Sequence, residues 1–141
     1  MNALFNHRIR HESKDIFIYC GHGAGETICD AYRMRKFKRM PAALLWGCSS
    51  GRLSEQGVHD PTGIPLSYLY GGARFVVGNL WDVTDRDIDR LSMHFISYLL
   101  NDRNTNDASI ADALRSARAT CKMVHGVGCA PVIYSLPALI T

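Results

Sequence analysis

Two short, uninterrupted apolar runs place the tightest limit on how this chain can fold. Residues 43–46 (Ala-Leu-Leu-Trp) are followed by Gly47, by Cys48 and then by small residues. Upstream, the run over residues 15–20 stops at a glycine-rich segment that contains His22. Runs of this length with such ends are typical of buried strands that terminate at the carboxyl edge of a parallel sheet, where α/β proteins place their chemistry. The sequence therefore predicts that His22 and Cys48 lie at one edge, on the rim and not in the core.

The remaining elements alternate between strand and helix signals. The sequence indicates one short and two longer helices. A proline at the start and a glycine at the end delimit the short helix. Apolar residues at three- and four-residue spacing mark the two longer helices, for which aspartates are expected as N-caps. The first two strands read as continuously apolar, which indicates cover on both faces, and they lie far enough apart for a parallel crossover. We expect an α/β sandwich around a mainly parallel sheet. Strands are expected over residues 15–19, 43–46, 74–81 and 130–136, helices over 65–70, 85–100 and 108–125 with caps at Asp85 and Asp107, and a loop over 49–63.

The composition is that of a folded core. The chain has 141 residues, of which 47% are apolar and 21% charged, so one domain over residues 15–141 is expected after a basic, irregular arm over residues 1–14. No apolar run approaches the ~20 residues of a membrane span, and because residues 1–14 are polar and basic we expect no charged-then-apolar leader there. Five cysteines without CxxC spacing favour free thiols in a reducing compartment. We expect an intracellular protein without a membrane segment.

Five basic residues crowd into positions 33–39, although the net charge is only +3. Such a cluster either contacts an acidic partner or nucleic acid, or belongs to a solvated connection. No aromatic interleaving or nucleic-acid motif accompanies it. The solvated connection is the favoured interpretation, and direct nucleic-acid binding is not expected.

The residues at the two strand ends are those that acyl transfer needs. A thiolate at Cys48 would attack a carbonyl, the imidazole of His22 would manage the proton, and the backbone N–H groups of Gly23 and Cys48 would meet the developing oxyanion. The other cysteines are interpreted as packing or inert thiols. A zinc site built from Cys20, His22 and Cys48 lacks the short ligand spacings of known sites. The favoured hypothesis is a cysteine protease.

A cluster of aspartates follows the third predicted strand. Helix capping and the helix dipole account for Asp85 and Asp87. Asp82 ends the third predicted strand. Asp89 lies one turn beyond Asp85, beside the row of apolar residues on the helix predicted over 85–100. We expect either to be partly buried and to bind a substrate arginine in a charge-assisted, bidentate way.

At these residues the sequence resembles the protease domain of separase, the caspase-like cysteine protease that opens the cohesin ring at anaphase. The resemblance implies a caspase-like three-layer α/β/α sandwich that is N-terminally truncated relative to the much larger family members. It also implies His22 as general base, Cys48 as nucleophile, and the amides of Gly23 and Cys48 as the oxyanion hole. The matching segments, in chain order, are residues 19–26, 45–51, 78–89 and 130–137.

The resemblance further implies cleavage after arginine in the kleisin subunit of cohesin, which triggers sister chromatid separation. Asp89 is the first choice for the arginine pocket and Asp82 the second, with Trp81 and Ser49 as further substrate-binding residues. A securin-type pseudosubstrate inhibitor and an N-terminal helical region are the implied partners, no metal or cofactor is implied, and the nucleus and cytoplasm are the implied locations. The alternative is a catalytically incomplete fragment that binds an inhibitor or scaffold without turnover.

Overall fold

The computed structural model describes residues 16–28, 30–101 and 110–135. The predicted basic arm, Cys29, and the predicted Asp107 cap lie outside these ranges. The strands are β1 (Ile16–Tyr19), β2 (Ala42–Leu45), β3 (Ser54–Gln56), β4 (His59–Thr62), β5 (Phe75–Asn79) and β6 (Pro131–Ser135). The helices are α1 (Ala31–Met34), α2 (Ile64–Tyr70), α3 (Asp85–Asn101) and α4 (Ile110–Arg118), followed by a π-helical turn over Val124–Gly128.

The central sheet has four strands in the order β1-β2-β5-β6. The first three are parallel, and β6 pairs antiparallel with β5 at the far edge. The register sets Tyr19 opposite Leu45, and Leu45 opposite Gly78. Because these pairs come last in their ladders, the segments that follow β1, β2 and β5 leave the sheet at the same edge.

The sheet separates two apolar clusters. Leu44 and Val77 point to one face, where they pack under α3 and α4. Ala43, Leu45 and Val76 point to the other face, where α1 and α2 cover them. This alternation follows from the two-residue period of a strand and gives β2 burial on both faces. The predicted α/β/α sandwich around a mainly parallel sheet is confirmed.

The first strand departs from the prediction of cover on both faces. Ile16 and Ile18 are 45% and 46% exposed, whereas Phe17 and Tyr19 pack against the α1–α2 cluster. Within the described residues β1 pairs on one side only, with β2. An unbroken apolar run therefore did not distinguish an edge strand from a central one.

The segment predicted as a loop after Cys48 contains a hairpin of β3 and β4, with both strands exposed. Helix α3 begins at Asp85 instead of being capped by it, because the Thr84 carbonyl accepts the first bond, from the Ile88 amide at 3.0 Å. No helix among the described residues is long and apolar enough to cross a membrane.

Helix α4 ends at Arg118, earlier than the predicted residue 125. The amides of Lys122 and Met123, which a longer helix would bond internally, donate instead to the carboxylate of Asp87 at 3.2 and 2.9 Å. The helix tightens first, because the amides of Thr120 and Cys121 bond to the carbonyls three residues earlier, and the Asp87 contact then holds the next two amides outside the helix. The regularly spaced apolar residues of the helix predicted over 108–125 are buried at Ala113, Leu114, Ala117 and Cys121, whereas Val124 is 39% exposed.

Candidate active site

The parallel register brings the predicted catalytic segments together. His22 follows Tyr19 by three residues, Cys48 follows Leu45 by three, and Asp82 follows Gly78 by four. Tyr19, Leu45 and Gly78 lie side by side across three parallel strands. The carboxyl edge of the sheet therefore presents all three segments.

The segment that carries His22 is a tight, glycine-rich loop. Gly23 and Gly25 have φ values of 63° and 79°, a backbone conformation that favours glycine. The Tyr19 hydroxyl donates to the His22 carbonyl at 2.9 Å, and the Ala24 amide donates to the Glu26 carboxylate at 3.0 Å. These bonds hold the loop while the His22 side chain stays exposed.

Backbone contact joins the His22 loop to the residue that precedes Cys48. A side chain at Gly47 would overlap the carbonyl oxygens of both Gly21 and Gly23. Only a residue without a Cβ allows these two chain segments to approach so closely. The contact fixes the His22 loop directly against the base of the Cys48 turn.

The thiol of Cys48 is half-buried and contacts the segment that leads into α3. Its Sγ lies 3.5 Å from both the carbonyl oxygen and the amide nitrogen of Val83. Within the ranges that the structure describes, no hydrogen bond joins this thiol to the His22 ring. The amides of Gly23 and Cys48 likewise donate to no acceptor among the described residues, so both remain available to a bound carbonyl oxygen.

A buried polar network beneath the Cys48 turn is the feature that sequence reasoning missed. Asn79, the last residue of β5, is fully buried, and its Nδ2 donates to the carbonyls of Trp46 at 3.1 Å and Gly47 at 3.0 Å. The Ser50 hydroxyl donates to the Leu45 carbonyl at 2.7 Å and accepts from the backbone amide of Asn79 at 3.1 Å. An asparagine that closes an otherwise apolar strand was the available signal, because buried polar groups need partners.

The turn is also held from β5 and β6. The Gly51 amide donates to the Asn79 carbonyl at 2.8 Å, and the Tyr134 hydroxyl donates to the Gly51 carbonyl at 2.7 Å. Burial raises the pKa of Tyr134 above its ordinary value, so the phenol remains a donor at neutral pH. Cβ atoms at Gly51 or Gly78 would fall within 2.8 Å of the other segment's backbone. The turn therefore rests directly on β5.

Three of the predicted substrate-binding residues surround the turn. Ser49 has a φ of 53°, unusual for a non-glycine residue, and its hydroxyl donates to the Asp82 carboxylate at 2.7 Å. Its amide donates to the Trp81 carbonyl at 3.1 Å. The Trp81 indole donates to the Gly126 carbonyl at 2.6 Å, which links this side of the site to the π-helical turn.

The fourth predicted residue, Asp89, lies in the first turns of α3. Both Asp89 and Asp82 are exposed, so the expectation that either is partly buried is wrong. Asp89 also lies close enough to Cys20, at the end of β1, to affect it: burial, and secondarily the charge of Asp89, raise the pKa of the Cys20 thiol. Among the described residues the Asp89 carboxylate makes no hydrogen bond or ion pair, whereas that of Asp82 already accepts from Ser49.

The predictions for the other polar residues are confirmed only in part. Cys121 is buried as expected, but Cys20 is exposed, so it is not a packing residue. Asp87 is not simply a first-turn acid, because it is buried and binds two backbone amides across the fold. The basic residues at positions 33, 35, 36, 38 and 39 are exposed. The described part of the chain contains no group of three potential ligands that could hold a metal ion.

A polar cleft of about 280 Å³ lies where the two catalytic segments meet α1, α2 and the β3–β4 hairpin. The His22 loop contributes Ala24 and Glu26, and the Cys48 turn contributes Ser49 and Ser50. A second, more open depression of about 500 Å³ follows α3 from Asp89 past Met93. Neither His22 nor Cys48 lines either cavity, but the smaller one borders both catalytic segments and the larger one has Asp89 at its edge.

Fold and site define a class: an α/β/α sandwich that presents a cysteine turn and a histidine loop at the carboxyl edge of a parallel sheet. A family model described as "Separin, protease domain" matches residues 6–88. Separin of Schizosaccharomyces pombe is 44% identical to the chain over 130 residues, and separin of Mus musculus is 38% identical over 124 residues. The chain belongs to the family of separin protease domains, and the resemblance in its motifs is confirmed.

The solved relatives agree with this assignment. A crystal structure of the Saccharomyces cerevisiae separase–securin complex at 2.6 Å resolution matches with a TM-score of 0.76 and 39% identity over 86% of this chain. The two separins cover 89% and 88% of the chain. The chain spans only 7% of the S. pombe separin, 6% of the mouse separin and 8% of the solved yeast chain.

Proposed function

We propose that this chain carries the catalytic residues of a separase-type cysteine endopeptidase, with Cys48 as nucleophile and His22 as general base. The backbone contact of Gly47 with the carbonyls of Gly21 and Gly23 is the observation that supports it most directly. It brings an exposed imidazole loop against the turn that bears a half-buried thiol. A cysteine nucleophile requires a base positioned in this way.

In this mechanism His22 takes the thiol proton as the Cys48 sulfur bonds to the scissile carbonyl carbon. The amides of Gly23 and Cys48 stabilise the oxyanion, and His22 then gives the proton to the leaving amine as the C–N bond breaks. Water, activated by His22, hydrolyses the thioester and releases the new carboxylate. The thiol's present contacts with Val83 are weak at 3.5 Å, so substrate binding can redirect Sγ toward the imidazole.

The proposed specificity is for arginine before the cleaved bond. Asp89 is the better candidate because its carboxylate has no partner within the described residues, whereas Asp82 is bonded to Ser49 at 2.7 Å. An unpaired, exposed carboxylate can accept both arms of a guanidinium. By family membership we extend the proposal to a kleisin subunit of cohesin as substrate, a securin-type pseudosubstrate inhibitor, and a nuclear and cytoplasmic location.

Labelling with a peptide electrophile that ends in arginine tests the catalytic assignment. We expect the probe to modify one site, Cys48, and to fail with Cys48→Ala, as read by mass spectrometry. Cys20→Ala is the matched control, since Cys20 is an exposed thiol at the neighbouring strand end and its loss should leave labelling intact. His22→Ala should slow labelling by about 100-fold or more. Modification that persists in Cys48→Ala would refute the proposal.

A second experiment tests the arginine pocket. Asp89→Asn should lower kcat/KM for an arginyl substrate about 30-fold, because a charge-assisted hydrogen bond contributes about 2 kcal/mol. Asp82→Asn, the matched variant, should have a smaller effect. If Asp82→Asn proves the more damaging of the two, the pocket lies on the Ser49 side of the turn instead.

A non-catalytic binding module is the second candidate function. It is favoured by the Cys48 thiol, which bonds to Val83 in the described structure and not to His22. A folded chain that binds arginyl peptides in a calorimeter but neither cleaves them nor reacts with the electrophile would support this candidate over the first.

A further inference from the structure

Beneath the catalytic turn, the side-chain amide of Asn79 bonds the two carbonyls that come immediately before Cys48. The distances from Nδ2 are 3.1 Å to the Trp46 oxygen and 3.0 Å to the Gly47 oxygen. Both acceptors belong to buried residues beyond the last ladder pair of β2, so the sheet cannot satisfy them. The hydrogen-bond network assigns the amide orientation, because the oxygen in the same place would face two carbonyl oxygens, although the buried Oδ1 has no hydrogen-bond partner among the described residues.

The bond to Gly47 has a consequence for the next residue. The Gly47 carbonyl and the Cys48 N–H belong to one peptide unit, which is planar, and the structure contains no cis peptide among its described residues. In a trans unit the C=O and N–H point in opposite directions. Fixing the carbonyl toward Asn79 therefore fixes the Cys48 N–H away from the sheet, and a carbonyl that accepts a bond also makes its own N–H a stronger donor.

We infer that Asn79 is a positioning residue for the oxyanion hole, acting on the Cys48 amide through the shared peptide plane. The inference rests on the proposed function. Ser50 holds the same residue in place, since its hydroxyl accepts from the Asn79 backbone amide and donates to the Leu45 carbonyl. Both side chains are buried, and neither takes or gives a proton in the proposed reaction.

An amide is the group that this position requires. Asn79 supplies two N–H donors from one nitrogen to two neighbouring carbonyls, which no carboxylate, hydroxyl or apolar group of similar size can do. The backbone of the same residue also bonds to Ser50 and Gly51, at 3.1 and 2.8 Å. Asn79 thus contacts the turn at both ends, and the Ser50 amide adds a longer bond to the Gly47 carbonyl at 3.3 Å.

The test separates chemistry that needs an oxyanion hole from chemistry that does not. Hydrolysis of a fluorogenic arginyl peptide amide passes through an oxyanion, whereas alkylation of Cys48 by iodoacetamide displaces iodide from carbon and forms none. Active sites are counted with the arginyl electrophile. In Asn79→Leu we expect kcat per counted site to fall about 10- to 100-fold. Removal of an oxyanion donor lowers kcat about 100- to 1,000-fold, and the effect here should be smaller because the Cys48 amide is displaced and not removed. KM and the rate of alkylation should stay within a few-fold of wild type.

Val76→Ala is the matched control, because Val76 is equally buried in β5 but faces the α1–α2 cluster. It should reduce stability without lowering kcat per counted site. If Asn79→Leu does not fold, Ser50→Ala replaces it, with an expected several-fold loss of kcat at an unchanged alkylation rate. Unaltered kcat per counted site in the folded variant overturns this inference alone. A wild-type chain that hydrolyses no arginyl peptide overturns the proposed function, and this inference with it.

Discussion

At the scale of single residues, Asp87 shows how one carboxylate organises distant parts of the chain. The backbone amides of Met123 and Lys122 donate to it and hold its pKa below the ordinary value, with a smaller contribution from Arg90. The carboxylate lies in the first turn of α3, and the amides belong to the segment after α4. This segment leads to Gly126, whose carbonyl receives the Trp81 indole. Asp87 thereby connects the helical layer to the rim of the site.

The lowered pKa of Asp87 predicts acid sensitivity. Its stabilising contribution is fully present above the ordinary carboxylate pKa of about 4 and is lost as pH falls through the lower folded value. Asp87→Asn should therefore reduce the thermal unfolding temperature at pH 7, and the gap to wild type should close as pH falls below about 4. Asp60→Asn, an exposed acid on β4, should change stability by less than about 0.5 kcal/mol. A gap that stays constant down to pH 2 would contradict this account.

At the scale of elements, the site depends on two chain segments that touch through their backbones. The His22 loop lies against Gly47, and the turn after Cys48 lies against Gly78 of β5. Contacts between backbones have no rotamers with which to adjust. The relative position of the imidazole and the thiol is therefore set by the absence of side chains at a few glycines.

Gly47→Ala tests this dependence. The added methyl group would meet the carbonyl oxygens of Gly21 and Gly23, which are fixed backbone atoms, so we expect a loss of about 3 kcal/mol in the free energy of unfolding and loss of electrophile labelling in the folded fraction. Gly126→Ala is the matched control, since its new Cβ would meet the flexible end of Met123 at 3.3 Å and otherwise only the Met123 Cβ, in ordinary contact at 3.7 Å. Chemical denaturation with parallel labelling measures both. Equal tolerance of the two substitutions would show that the loop can move away from the turn.

At the scale of the whole molecule, β1 leaves an apolar sheet edge exposed. Ile16 and Ile18 project from the face that α3 and α4 cover elsewhere, and each is nearly half exposed. In the part of the chain that the structure describes, β1 pairs only with β2. An apolar edge strand of this kind is a template for pairing with other chains.

Ile18→Lys should reduce self-association of the isolated chain without unfolding it. A charged side chain on an edge strand opposes edge-to-edge pairing, and about half of the Ile18 surface is already in water, so the loss of stability should stay near 1 kcal/mol. Light scattering over a concentration series, with unfolding curves in parallel, measures both quantities. Leu44→Lys, at the fully buried neighbour of Ile18 in β2, should unfold the chain. If self-association is unchanged in Ile18→Lys, the contact between chains lies on a surface other than β1.

The sequence by itself indicated where β1, β2 and β5 lie along the chain, because apolar runs bounded by glycine and proline leave few alternatives at this length. It also determined that His22, Cys48 and Asp82 follow three neighbouring strand ends. Only the tertiary structure decided which strand is an edge, where α4 stops, and that Asn79 holds the peptide before Cys48. The physical reason is that each of these depends on contacts across the fold. Among the described residues β1 pairs with β2 alone, the Asp87 carboxylate accepts from the Lys122 and Met123 amides, and Asn79 bonds the carbonyls that follow β2. A local sequence pattern predicts whether a segment forms a strand or a helix. Burial and hydrogen bonds across the fold determine where that element ends and which partners its terminal residues bind.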